Sequence, residues 1–199
     1  MTSSMYVMRE KGLLARIALC FAVISVMLAV TPALGGCAKT SEDVIREAVE
    51  SEFDPYKNLD DDVLSAIASI AEDEGLAELG ISGSEFASAV LQDFDYTIDD
   101  VEIKGTSAIV KVTIISKSAS DFDDKISDRV QSFIESKSSQ SLDVQGKADE
   151  IGNIALDSIR DAEMISEQIE IRFDLQDKTW VSTNTAEILS KTDILAYRG

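Results

Sequence analysis

The sequence has no histidine among its 199 residues, and only two cysteines, two prolines and one tryptophan. Without histidine, the chain lacks the side chain that serves most often as a general base near neutral pH and as a transition-metal ligand. The cysteines are Cys20, in an apolar segment near the N-terminus, and Cys37. The chain after residue 37 therefore has no thiol, which excludes a disulfide, a cysteine nucleophile and a cysteine-ligated metal site there.

Motifs of the common catalytic and phosphate-binding sites are also missing. The chain has no Gly-x-Ser-x-Gly nucleophile elbow, no glycine-rich phosphate loop and no Ser-x-x-Lys nucleophile in a supporting context. We therefore expect a protein that is not an enzyme. The alternative is an enzyme that works with aspartate and tyrosine, which would need a carboxyl group with a raised pKa inside a pocket.

The N-terminal region has the composition of an export signal. Three basic residues precede the apolar run 17–30, and small residues follow it, which is the pattern of a secretory signal peptide. The stretch 17–34 is shorter than the roughly 20 apolar residues of a spanning helix, and Pro32 would interrupt such a helix. An uncleaved membrane anchor and a secreted product without lipid are the alternatives.

The tetrapeptide Leu34-Gly35-Gly36-Cys37 follows this segment. It resembles the lipobox of bacterial lipoproteins, in which the cysteine is acylated and becomes the first residue of the mature protein. The resemblance implies cleavage between Gly36 and Cys37, a covalent lipid on Cys37 and a location at the extracytoplasmic face of the cell membrane. Two acyl chains hold a protein on a bilayer, whereas one does so only marginally. The membrane is thus the first expected partner, through the lipid anchor alone.

Acidic residues outnumber basic ones in the exported part of the chain. The first 37 residues take three of the 18 basic residues and one of the 37 acidic ones. The remaining 162 residues therefore hold 15 basic and 36 acidic residues, a net charge near −21. Such a surface repels phosphate backbones and anionic lipid, so we expect no nucleic-acid partner. We interpret most of this charge as a solvated surface.

We divide the chain into a signal peptide (1–36), a lipidated cysteine with a short tether (37–41) and a single domain (42–199). In that domain, helical periodicity alternates with the two-residue period of strands. The predicted order is three helices, a hairpin, two helices, a second hairpin and a last helix. This order indicates the α+β class, with helices packed on one face of a small antiparallel sheet. Residues 121–164 are a helical pair inserted between the hairpins.

Single residues predict several helix ends. Thr40 and a following acid form a capping box before the first helix. Asp54-Pro55 is expected to end that helix, because proline disfavours helical angles in the residue before it. Ser84 and Ser120 are expected to cap the third helix and the first helix of the insert.

Other single positions predict irregularities and connections. The apolar alternation changes parity at Asp99-Asp100, which predicts a β-bulge in the first strand. The serines within 136–141 are interpreted as a linker or turn. Asn184 is expected to begin the last helix.

The segment 93–101 (DFDYTIDDV), followed by a glycine turn and Ala-Ile-Val-Lys-Val, resembles small uncharacterised Gram-positive lipoproteins. Those proteins are similar in architecture to the cystatin-like group, which includes nuclear transport factor two. The resemblance covers residues 41–116 and 165–183 and implies a cone-like α+β domain. The inserted helical pair departs from the compact cone, which leaves open whether it caps, fills or enlarges the pocket of such folds.

Calcium is the first metal to consider for so acidic a chain, because carboxylate oxygens are its usual ligands. Asp121 and Asp123 give an Asp-x-Asp opening, but an EF-hand loop then needs an oxygen ligand, a glycine and a glutamate at its fifth, sixth and twelfth positions. Those positions hold Lys125, Ile126 and Ser132. We therefore expect no metal and no cofactor besides the lipid on Cys37, and we assign these acids to a helix N-terminus.

Two aromatic residues are candidates for a pocket wall. Tyr96 and Trp180 each combine an apolar ring with a polar atom, which suits a ligand site, and the alternative is that both are core residues of the sheet. A catalytic carboxylate pair near the first strand would need two carboxyl groups held apart in different environments. The acids concerned are Asp95, Asp99, Asp100 and Glu102.

Two functions from different classes follow. The first is a ligand-binding lipoprotein that holds a small apolar or amphipathic molecule between sheet and helices, with a pocket near Trp180. The second is a protein-interaction module of the cell envelope, with an exposed apolar stripe on 121–164. Aspartate at Val130, Phe133, Ile151 or Ile159 would unfold the domain if these residues are core, and would leave its stability almost unchanged if they form a partner surface.

Overall fold

The computed structural model describes residues 29–30, 39–73 and 75–184. Its elements confirm the predicted α+β class, with helices packed against an open antiparallel sheet. The elements are β1 (Ala29–Val30), α1 (Ser41–Lys57), α2 (Asp61–Asp73), a 3-10 helix (Leu76–Leu79), α3 (Gly83–Val90), β2 (Asp95–Lys104), β3 (Ser107–Lys117), α4 (Ala119–Glu135), α5 (Lys137–Ser141), α6 (Val144–Arg160), β4 (Met164–Gln176) and β5 (Thr179–Ser182). The predicted cleavage site and the predicted last helix after Asn184 lie outside the described residues.

All strands belong to one sheet in the order β1-β5-β4-β3-β2, and every neighbouring pair is antiparallel. The longest pairing joins β3 to β4, so the two predicted hairpins are halves of a single sheet. The helices α4–α6 are inserted between these two central strands. The β4–β5 turn has positive φ at both Asp177 and Lys178, as a two-residue hairpin with the twist of the sheet requires.

The predicted bulge is confirmed, because the β2–β3 register shifts between Ile98 and Asp100. Asp99, at the shift, accepts hydrogen bonds from the Thr113 hydroxyl at 2.6 Å and from the Gln168 side-chain amide at 2.9 Å. These bonds connect the bulge to the next two strands on the exposed face of the sheet.

Helix α1 covers the opposite face of the sheet. The predicted capping box is present: the Thr40 hydroxyl accepts from the Asp43 amide at 3.2 Å, and the Asp43 carboxylate accepts from the Thr40 amide at 2.9 Å. The apolar side of α1 packs on alternate residues of β3, β4 and β5. We call this cluster of helix and strand residues the sheet core. The largest fully buried residues of the sheet core include Ile45, Val49, Val110, Val112 and Phe173.

The other helices form a second apolar cluster, the helical core, which includes no strand residue. It brings together α2, the 3-10 helix, α3, α4 and α6 around Leu76, Phe86 and Ile126. At Gly152 of α6, a Cβ atom would stand 2.0 Å from the Leu79 carbonyl oxygen, so only glycine allows this approach. The Ser118 amide donates to the Glu163 carbonyl at 2.8 Å, which joins this core to the end of the β3–β4 pair.

The prediction that Asp54-Pro55 ends the first helix is wrong. Pro55 lies inside the last turn of α1, which continues to Lys57. The turn that follows the proline keeps its bonds: Asn58 donates to the Asp54 carbonyl at 2.8 Å, and Asp60 to the Pro55 carbonyl at 2.9 Å. The chain turns instead at Leu59, where φ is +56°.

Both predicted serine caps are wrong by two residues. Ser82 rather than Ser84 caps α3, and Ser118 rather than Ser120 caps α4. In each Ser-x-Ser sequence the first hydroxyl accepts an amide hydrogen bond from the third helical residue at 3.2 Å, and the second lies in the first turn.

Two element boundaries also differ from prediction. The serine-rich stretch 136–141 is not a linker, because residues 137–141 form the short helix α5, capped by Ser136. Strand β4 begins at Met164, five residues before the predicted start at Ile169, because its pairing with β3 continues to Lys117.

Candidate functional site

Two pairs of aromatic rings lie where the end of α1 reaches the start of β2. The ring centroids of Phe53 and Tyr96 are 5.2 Å apart, and those of Tyr56 and Phe94 are 6.0 Å apart, both pairs tilted. Such pairs add about 0.5–1.5 kcal/mol each beyond the burial of their area. We call these four residues the aromatic corner. It fixes the end of α1 to the β2 edge of the sheet.

Charged side chains surround the aromatic corner. The Tyr96 hydroxyl donates to Asp54 Oδ1 at 2.6 Å. Lys57 Nζ lies 2.6 Å from Asp95 Oδ1 and 5.6 Å from the centroid of the Tyr96 ring, where a cation is attracted by the ring. Both interactions link α1 to β2.

Burial raises the pKa of both phenols of the aromatic corner. The pKa of Tyr56 rises to about 12, with a further contribution from the negative charge of Glu52. The pKa of Tyr96 is raised by burial and then by its hydrogen bond to Asp54. Lys57 holds the pKa of Asp95 below its usual range. At neutral pH both phenols are protonated, as a free tyrosine also is, and can donate hydrogen bonds.

Sequence reasoning did not identify Glu52, the half-buried glutamate of α1 whose pKa is raised by burial. A raised carboxyl pKa is the property that an aspartate- or glutamate-based enzyme would need. The signal available in the sequence was its position, four residues before Tyr56 on one helix face.

The two predicted pocket residues lie on different sides of the sheet core. Trp180, on β5, is 4% exposed within that core, and Tyr96, on β2, packs against it half-buried. Strands β4 and β3 separate them, a distance of three strand spacings, or roughly 14 Å. The structure does not bring them together, and a pocket near either residue stays a prediction.

The acids considered for catalysis are engaged separately. Asp95 bonds to Lys57 and Asp99 to Thr113 and Gln168, while Glu102 lies 2.7 Å from Lys104. These bonds lower the pKa of all three carboxyl groups, as expected for ionised surface acids.

Asp121, which opens the calcium-like sequence, accepts from Lys125 and from the Glu163 amide, and these bonds lower its pKa. It thereby ties the first turn of α4 to the residue that precedes β4. Across residues 39–73 and 75–184, no group of three or more acidic, cysteine or histidine side chains is arranged to hold a metal.

Most apolar residues of the inserted helices are buried or partly buried. Val130 and Ile159 are buried in the helical core, and Ile151 packs against it partly buried. Around the connection between the inserted helices, large apolar residues are exposed instead. There Ile134 is 41% exposed, Leu142 38% and Val144 80%. We call residues 134–144 the insert tip.

Charge at the insert tip is low, unlike that of residues 38–199 as a whole. Residues 134–144 include two acids and one base. An apolar surface with little local charge in a strongly acidic domain has a low desolvation cost, and exposed apolar groups of this kind often mark protein contacts.

The insert begins at the end of the sheet that is far from the start of α1. The end of α1 lies at the aromatic corner, near the strand ends from which α4 leaves. Helix α1 has 17 residues, about 25 Å, and it also lies against β1, the strand beside β5. Its first residue, only four after Cys37, is therefore at the far end of the sheet from the insert.

Comparisons with known proteins identify no family. No family model matches the chain, and no curated protein matches it. Among solved structures, it is similar to the crystal structure of a candidate lipoprotein (ycdA) from Bacillus subtilis, with 14% identity and a TM-score of 0.42. The match covers 79% of this chain and 47% of that protein, so the chain spans about half of its length.

The predicted lipidation site lies outside the described residues, so cleavage between Gly36 and Cys37 stays a prediction. None of the described helices has the length and apolar character needed to cross a membrane.

Proposed function

We propose that this chain is a lipid-anchored protein of the extracytoplasmic membrane face, whose domain is not an enzyme and binds another protein of the cell envelope. The anchoring part is supported by the lipobox-like Leu34–Cys37 behind an export signal. The binding part is supported above all by the insert tip, where Val144 is 80% exposed. The short tether precedes α1, whose first residue lies at the end of the sheet away from the start of the insert.

Anchoring is tested by the mass of the protein purified from bacterial membranes. The processed protein should begin at residue 37 and carry the added mass of acyl chains. The Cys37→Ser variant should keep the entire leader and carry no acyl mass. An unmodified full-length mass for the parent protein would contradict this part of the proposal.

Binding is tested with a photo-crosslinking amino acid at Val144 in cells. Asn153, exposed on the same helix two and a half turns later, is the matched control position because its replacement removes no charge. We expect a discrete crosslinked product from position 144 and none from 153. Equal products from both positions, or none, would argue against a partner at the insert tip.

A small ligand at the aromatic corner is the second candidate, in keeping with the predicted likeness to cystatin-like cones. It is supported by two half-buried phenols that stay protonated and by the half-buried Glu52. Native mass spectrometry of gently purified protein tests it. An added mass that disappears on denaturation and in the Tyr96→Phe variant would favour this candidate.

A further inference from the structure

Strand β2 is the last strand of the sheet on the side of β3. It pairs with β3 on one side, and none of the strands in the described part of the chain pairs with it on the other. Backbone groups on the outer side of an edge strand can pair with another chain. This edge is a different surface from the insert tip, so a partner at one does not require a partner at the other.

The hydrogen-bond pattern of the sheet identifies the outward groups. The Leu175 amide of β4 donates at 2.7 Å to the carbonyl of the residue before β3, and the direction of the backbone groups alternates along an antiparallel strand. The odd-numbered residues of β3 therefore face β2, where the register pairs them with the even-numbered residues of 100–104. Val101 and Ile103 consequently direct their amides and carbonyls outward.

The first half of the β2 edge is closed in two ways. By the same alternation the Tyr96 amide points outward, but it donates to the carboxylate of Asp95 at 2.8 Å. The bulge between Ile98 and Asp100 then interrupts the regular spacing of the outward groups. The open part of the edge is therefore the stretch 100–104.

The two faces of this stretch differ in chemistry. Val101 packs against the sheet core, and Ile103 shares its face and is 36% exposed. Asp100 and Glu102 are exposed on the opposite face. A strand that adds here would therefore have one apolar side and one side next to carboxylates.

We propose that an extended basic segment of another protein adds to β2 along residues 100–104, antiparallel like every other pair of this sheet. In this type of recognition, main-chain hydrogen bonds provide the affinity, here with Val101 and Ile103, and alternate side chains provide the specificity. Apolar residues of the segment extend the apolar face, and its basic residues lie opposite Asp100 and Glu102, as favourable cross-strand pairs.

Charge selects this occupant. Strand β2 has four acids and one base, Lys104, which lies 2.7 Å from Glu102. Residues 38–199 have a net charge near −21, which attracts a basic segment. A second copy is disfavoured, because two β2 strands side by side would place acids next to acids.

The probe is a fluorescent heptapeptide of alternate lysine and valine. With its lysines opposite the acids of an antiparallel β2, its valine amides face β2 and its lysine amides face away. Two peptides of equal charge are the matched controls, one with N-methylated valines and one with N-methylated lysines. Fluorescence anisotropy measures binding to the protein purified from membranes in non-ionic detergent. We expect saturable binding that valine methylation abolishes and lysine methylation leaves in place.

Two variants test the same edge from the side of the protein. Ile103→Pro removes one outward amide at an edge position, where proline is compatible with a sheet. It should weaken binding about tenfold, as the loss of a hydrogen bond does, whereas Ile103→Val keeps the amide and should bind like the parent protein. Circular dichroism checks that both variants fold. If Ile103→Pro is unfolded, the two methylated peptides decide.

Equal binding of both methylated peptides would mean attraction by charge alone and would overturn the proposal, as would no binding of the unmethylated peptide. Loss of binding on lysine methylation alone would overturn the antiparallel pairing. A dimer by light scattering that the peptide dissociates would assign the edge to a second copy. Binding that requires deletion of residues 185–199 would assign it to the end of the chain itself, and both results would also overturn the proposal.

Discussion

At the scale of single residues, the hydrogen bond from Tyr96 to Asp54 links the end of α1 to β2. Tyr96→Phe removes this donor and keeps the ring that packs on Phe53. Hydrogen bonds to charged groups contribute about 1.5–3 kcal/mol, and the exposure of Asp54 lowers this, so we expect a loss of about 1 kcal/mol. Urea unfolding measures it. Asp54→Asn, which retains an acceptor, should lose less, and equal losses would contradict the assignment.

Tyr56 makes stability depend on pH in the alkaline range. Its folded-state pKa, about 12, lies above its ordinary value of 10.0, so the folded protein retains this proton more strongly than the unfolded chain. Its contribution is complete below pH 10 and is lost as pH rises toward 12. Unfolding free energy measured across this range should decline less steeply in Tyr56→Phe than in the parent protein. Parallel curves would show that Tyr56 does not contribute.

The helix caps show which single-residue roles the sequence can predict and which it cannot. The capping box at Thr40 was predicted correctly, because Thr40 is the one hydroxyl residue there that has an acid three positions later. At Ser82 and Ser118 the sequence offers two hydroxyls two positions apart. The choice depends on which residue has extended backbone angles, and composition does not determine that.

At the scale of elements, the close approach of α6 to the 3-10 helix depends on Gly152. Alanine there would place its Cβ 2.0 Å from a backbone carbonyl oxygen, which cannot move as a flexible side chain would. Overpacking costs typically 1–3 kcal/mol, and we expect Gly152→Ala to reach at least the upper end. Gly146→Ala, in the same helix, is the control, because its nearest neighbour is a side-chain oxygen at 3.1 Å. Similar thermal melts for both variants would contradict the prediction.

The insert provides a second prediction for its elements. Val130, on α4, is buried in the helical core, whereas Val144, at the start of α6, is 80% exposed. Val130→Asp places an unpaired charge among apolar side chains, so the folded fraction should collapse. Val144→Asp should change the melting temperature little. Circular dichroism measures both, and a stable Val130→Asp variant would show that the helical core is not essential.

Periodicity predicted the elements well, because an element that is buried on one face has apolar residues at regular intervals in its sequence. It located α1, α4 and α6, both strand pairs and the bulge at Asp99. It did not predict α5, whose serines favour turns and caps in general. It also underestimated β4, where residues 164–168 pair with β3 although the alternation of buried residues begins only at Ile169.

At the scale of the whole molecule, the positions of the candidate sites follow from tertiary pairing that no local pattern encodes. The sequence identified Tyr96 and Trp180 as aromatic residues near strands, but their separation depends on β3 pairing with β4. Similarly, the end of α1 and the start of the insert share one end of the sheet because Phe53 packs on Tyr96 and the start of β2 pairs with the end of β3.

The acidic surface should make the stability of the whole protein depend on salt. Residues 38–199 have a net charge near −21, and their described ion pairs are largely exposed and contribute little each. Repulsion among the remaining acids opposes compaction. At 0.1 M ionic strength, salt screens this repulsion between exposed charges that are more than about 10 Å apart. Sodium chloride should therefore increase the unfolding free energy measured in urea. Guanidinium chloride, which is itself a salt, should give a higher value than urea at low ionic strength, and added sodium chloride should close that gap. A decrease with salt would mean that attractive ion pairs outweigh the repulsion, and the acidic surface would then be a stabilising network.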